Sequence, residues 1–67
     1  MDMRKRVGGN VRRLREKLEI SQEELAERAE LHRTYISGVE RGVRNPTVLV
    51  LAKIAAALGA EPANLLK

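Results

Sequence analysis

Cysteine is absent from this 67-residue chain. No disulfide can staple it, and no thiolate can hold a metal. His32 is the single histidine, so a structural zinc site lacks its ligands as well. Phenylalanine and tryptophan are missing too, which leaves Tyr35 as the only aromatic residue. No apolar run approaches the ~18 residues of a membrane span, and no secretory leader is visible. The expectation is a cytoplasmic chain with no membrane partner. One histidine, no cysteine and little room for a cleft also argue against an enzyme.

What is present is charge and helical pattern. The net charge is +4, but its distribution says more. Residues 1–17 hold seven Lys or Arg against Asp2 and Glu16. Residues 18–30 hold Arg28 against five glutamates, at 19, 23, 24, 27 and 30. Segregated charge with a basic total suits a polyanionic partner, although ordinary solvated helix faces produce it too. The length fits one small domain over residues 1–67, near the lower limit for folding without a staple. Stability then has to come from well-matched helices, with dimerisation as a further source.

Residues 21–42 organise the rest. Ser21 and Glu24 have the spacing of a capping box, with Ile20 and Leu25 placed as its hydrophobic staple. Leu25, Ala26 and Ala29 make a narrow apolar face, and Leu31, Ile36 and Val39 make a second. The pattern predicts a helix from about Gln22 to Ala29 and another from about Arg33 to Arg41, with His32 as a weak N-cap. Arg33, Thr34, Ser37, Gly38 and Arg41 are not needed for a core.

On either side the chain stays helical. Val7, Val11, Leu14 and Leu18 recur on one face and predict a first helix ending near Leu18. Residues 1–6 read equally as its first turn or as a loose arm. Gly8 and Gly9 each cost it roughly 1 kcal/mol relative to Ala, and fraying before Gly9 is expected. Thr47 caps a fourth helix that runs to about Leu58, where Gly59 ends it. Its inward face is Val48, Leu51, Ile54, Ala55 and Leu58. Pro62 opens a short fifth helix through Leu66. No strand or repeat is visible, so the fold class is all-α with five helices.

The segment at residues 21–42 resembles the helix-turn-helix of the lambda-repressor/Cro type. Leu14-Arg15, Glu40-Arg41-Gly42, Asn45-Pro46, Ile54-Ala55 and Ala57-Leu58-Gly59 fall where that family's pattern has them. Residues 31–42 most resemble the controller proteins of restriction–modification systems. Two positions depart from the family: Glu19 and Glu30 stand where it usually has glycine at a helix end. A non-glycine residue held left-handed there costs roughly 1 kcal/mol. The resemblance implies a compact five-helix DNA-binding domain that regulates transcription and associates with the nucleoid. It implies no cofactor and no small-molecule ligand. Possible settings are a restriction–modification operon, a phage or plasmid repressor, or an antitoxin-like regulator.

A helix reads the major groove from its N-terminal end. Arg33, Thr34 and Ser37 are therefore the candidate base contacts. Arg33 has the fork for guanine, and Thr34 can offer a hydroxyl or meet a thymine methyl. Gln22, at a helix N-terminus where free amides attract phosphate, is a phosphate contact by resemblance. His32, Tyr35, Arg44 and Asn45 are further phosphate candidates, and Tyr35 reads equally as a half-buried core ring. Gly38 either allows close approach or is merely tolerated. In the family, an Arg placed like Arg15 pairs with a Glu placed like Glu40, so that pair is expected to be structural. Leu49 and Val50 lie off the inward face of the fourth helix. With Leu65 and Leu66 they are the candidate dimer interface, on helices within residues 47–66, for a homodimer on double-stranded DNA with a two-fold operator. The rival reading is a helical protein-interaction module with no DNA readout.

Overall fold

The computed structural model describes residues 2–67, so of the basic lead only Met1 falls outside the described residues. Five helices follow one another: α1 (Met3–Lys17), α2 (Gln22–Ala29), α3 (Arg33–Glu40), α4 (Val48–Ala57) and α5 (Pro62–Leu66). No strand occurs among the described residues. Helix α1 packs on α3 and α5, α2 packs on α3 and α4, and α4 packs on α5. Val7, Val11, Leu25, Ala26, Ile36, Val39, Leu51, Ile54, Ala55, Leu58 and Leu65 meet in the core. The predicted inward faces of α1 to α3 supply most of it.

The lead is ordered as a helix turn. Asp2 caps α1, its carboxylate accepting from the Arg4 backbone N–H at 2.9 Å and pairing with the Arg4 guanidinium at 3.1 Å. The hydrogen bond from Arg4 holds the Asp2 carboxyl below its usual range. Helix α1 runs unbroken through both glycines, so the expected fraying before Gly9 does not occur. Gly8 is buried, and a Cβ there would strike the Val39 and Glu40 carbonyls. That is the close helix contact its position suggested. Gly9 has open space around it.

Helix ends follow local chemistry. Ser21 Oγ accepts from the Glu24 N–H at 2.9 Å. The reciprocal half of the expected capping box is not made, because the Glu24 carboxylate instead accepts from Arg28 at 2.8 Å. Thr47 Oγ1 accepts from the Val50 N–H at 3.2 Å, whereas His32 makes no side-chain cap. Glu19 and Glu30 are left-handed, at φ 58° and 59°. The helices therefore close as if glycine were present, and the chain bears the strain.

Four apolar placements differ from expectation, and one is Val50, expected off the inward face of α4 but packed half-buried against the core. Val48 is 81% exposed and not inward. The stripe of α4 that meets the core runs through Val50, Leu51, Ile54, Ala55 and Leu58 and leaves Val48 and Leu49 on the outward side of the first turn. Leu65 is fully buried, so it belongs to the core and cannot be part of a dimer surface. Asn10 Nδ2 donates to the Leu65 carbonyl at 2.9 Å, which fixes α5 against α1 with that side chain inward. Leu18 lies past the end of α1 and is exposed.

Candidate nucleic-acid interface

The site is built on a buried ion pair. Arg15 projects from α1 and meets Glu40 at the end of α3 through two hydrogen bonds, Nε to Oε2 at 2.7 Å and Nη2 to Oε1 at 3.0 Å. The Glu40 side chain is 3% exposed and that of Arg15 13%. Arg15 Nη1 also donates to the Ile20 carbonyl at 2.9 Å. The carboxylate bond raises the guanidinium pKa further above its ordinary value. One arginine thus joins α1, the lead into α2 and the end of α3. The paired forks fix a geometry that a flexible lysine could not.

Gln22 enters the same network. Its Nε2 donates to Glu40 Oε1 at 3.0 Å, a bond spanning eighteen residues of sequence that no local pattern announced. An amide nitrogen carries a second N–H, which this bond leaves available. Arg15, Ser21, Gln22, Glu23 and Arg33 line an open depression of about 440 Å³. It lies at the N-terminus of α2, where unsatisfied amides and the helix dipole favour an anion.

The second helix of the motif presents its polar side outward. Arg33 and Thr34, at its N-terminal end, are exposed and Ser37 is partly so. Its apolar residues Ile36 and Val39 are buried, so the helix is held from behind with its polar side free. Tyr35 is half-buried and packed against the core, with the Arg44 guanidinium carbon 5.8 Å from its ring centroid. His32, Arg44 and Asn45 are exposed beside it. Ser21 and Glu23 were not singled out as site residues by sequence, yet they line the depression. The cap role of Ser21 was the visible signal for its position.

Of the interface candidates, Leu49 is 78% exposed and Leu66 43%. Val50 is half-buried against the core and Leu65 wholly inside it. Val48, which was expected inside, stands exposed beside Leu49.

Two short helices at a tight turn, locked by a buried ion pair and backed by three more helices, define a helix-turn-helix domain. The family model described as "Helix-turn-helix" matches residues 11–65. The chain belongs to this helix-turn-helix family, of lambda-repressor/Cro type. It is 51% identical over 59 residues to the uncharacterized HTH-type transcriptional regulator y4dJ of Sinorhizobium fredii, covering 88% of this chain and 77% of that one. It is 50% identical over 60 residues to the control protein C.BamHI of Bacillus amyloliquefaciens, covering 88% and 74%. Among solved structures it matches the restriction–modification controller protein C.AhdI from Aeromonas hydrophila with a TM-score of 0.90. That match has 42% identity over 92% of this chain and 94% of that one. It also matches SinR, the master regulator for biofilm formation, in a complex with DNA, with a TM-score of 0.86 and 32% identity over 91% and 98%. The protein is a DNA-binding transcriptional regulator and not an enzyme. The rival reading, an interaction module without DNA readout, is not supported. No helix among the described residues is long and apolar enough to cross a membrane.

Proposed function

We propose that the chain acts as a homodimer on a two-fold symmetric operator, bound to cytoplasmic DNA, and that it controls a restriction–modification operon. The observation that carries the DNA reading is the exposed polar end of α3 beside the depression at the N-terminus of α2, which Gln22 and Arg33 help to line. Arg33, Thr34 and Ser37 read base edges in the major groove. Gln22 takes a phosphate with its remaining N–H and the amides of the α2 N-terminus. His32, Tyr35, Arg44 and Asn45 contact the backbone next to it. The likeness to C.BamHI and C.AhdI supports the restriction–modification setting. Residues 47–66 supply the dimer contact within a single domain of residues 1–67, through the exposed part of α4 and α5.

Operator selection from random duplexes tests the reading. Arg33→Ala should then lose roughly 1–3 kcal/mol of discrimination while weak non-specific binding remains. Gln22→Ala should weaken binding to all sequences nearly equally. An Arg33→Ala variant that keeps the full preference for the selected operator would remove α3 as the reader.

A further inference from the structure

Gly38 sits inside α3 with ordinary helical geometry; the positive-φ glycines are Gly42 and Gly59. Its backbone therefore does not require glycine, and alanine would favour the helix. Space is the reason for it. A Cβ at this position would lie 2.5 Å from Arg44 Cγ and 3.3 Å from Arg44 Nε. The Gly38 carbonyl accepts from the Val43 N–H at 3.0 Å and the Arg44 N–H at 3.2 Å. The loop after α3 thus folds back onto the helix, and the Arg44 side chain crosses the bare backbone to reach the Tyr35 ring. None of the ion pairs among the described residues involves Arg44.

We propose that Gly38 is the seat of Arg44, and that Gly38 and Tyr35 are positioning residues that hold its guanidinium at the edge of the recognition surface for a DNA backbone phosphate. The inference rests on the DNA reading above and adds to it a reason for the glycine. A free arginine loses rotamer freedom when it binds. One already laid across Gly38 and against an aromatic ring has lost part of that freedom beforehand. Its charge, with no carboxylate to neutralise it, is available to a polyanion. The glycine serves the protein's own arginine and is not there to bring the helix closer to DNA.

The two origins of the glycine separate in a double-mutant cycle on the selected operator. Arg44→Ala should weaken binding roughly tenfold and reduce the slope of log affinity against log salt by about one. Gly38→Ala, with Arg44 forced off its seat, should weaken binding roughly three- to tenfold. In the Arg44→Ala background, Gly38→Ala should cost nothing further. Equal losses in both backgrounds would mean that the helix itself needs the space, and would overturn the seat. So would wild-type binding by Gly38→Ala. Thermal melts of each variant check folding, and Gly38→Ala in the Arg44→Ala background should melt no lower than Arg44→Ala alone. A readout without DNA is the nuclear Overhauser contact between the Gly38 α-protons and the Arg44 γ-protons of the free protein. Its presence supports the seat, and its absence overturns it. Failure of the unsubstituted protein to bind any duplex would overturn the DNA reading and the positioning role together. Binding that ignores Gly38→Ala removes only the seat.

Discussion

At the scale of single residues, the strain sits at two glutamates. Glu19 and Glu30 hold φ near +58° and +59°, where a Cβ meets the following carbonyl. Among the described residues neither has a side-chain ion-pair partner, and both are exposed. Glu30→Gly should relieve the strain and lose part of the gain to the freer unfolded chain. The net expectation is a stabilisation of about 0.5–1 kcal/mol, read by urea unfolding. A lower midpoint would give the Glu30 side chain a role that its exposure does not suggest. Glu40 is the opposite case. Its buried carboxylate satisfies Arg15 twice and Gln22 once. Removing it leaves the largely buried Arg15 side chain without its counterion. Glu40→Ala should cost about 3–5 kcal/mol, and Glu27→Ala, on an exposed face, no more than about 0.5 kcal/mol. Equal melting temperatures for the two would take the ion pair out of the account of the fold.

At the scale of helices, two adjacent glycines with the same propensity have opposite meanings. Gly8 lets α1 run against the end of α3, and a Cβ there meets backbone carbonyls that no side-chain rotation can move. Gly9 faces nothing within 4 Å. Gly9→Ala should stabilise the protein by about 0.5–1 kcal/mol through helix propensity alone. Gly8→Ala should destabilise by about 1–3 kcal/mol through overpacking at the helix crossing. Calorimetry of the pair gives the signs, and two stabilised variants would mean that α1 can shift away from α3 freely.

The same helices show what sequence can and cannot give. Caps at Ser21 and Thr47, the stop at Gly42 and the start at Pro62 are local chemistry, and each fell within a residue of its expected place. The apolar faces of α2 and α3 were legible because polar residues flank them. Residues 48–51 are four apolar side chains in a row, so periodicity alone does not phase that turn, and the pattern points Val48 inward where the fold turns it out. Leu65 and Leu66 pose the same two-way choice, settled by how α5 lies on α1. The bonds from Gln22 to Glu40 and from Asn10 to Leu65, and the Arg44 arm over Gly38, join residues through the fold. Nothing in their neighbourhoods encodes them.

At the scale of the molecule, the two most exposed large apolar side chains, Val48 and Leu49, lie outside the helix-turn-helix. The DNA-facing candidates are on α2, α3 and the loop at residues 43–47. The exposed apolar side chains Val48 and Leu49 start α4, and Leu66 ends α5. Helix α4 packs chiefly on α2 and α5. A lone domain of this size buries little surface on DNA. Two copies about a two-fold axis, with recognition helices about 34 Å apart, address successive major grooves. Such a pair needs a self-complementary patch, and the start of α4 with the end of α5 has the apolar side chains for one. Val50 is half-buried against the core, and a charge there would confuse unfolding with dissociation. The informative variant is therefore Val48→Lys with Leu49→Glu, both on side chains that are about four-fifths exposed. It should keep the wild-type helical signal, sediment as a monomer, bind a half-site weakly and lose cooperative binding to the full operator. A folded double variant that still sediments as a dimer would move the contact off α4, and the exposed basic face of α1 would be the next surface to substitute.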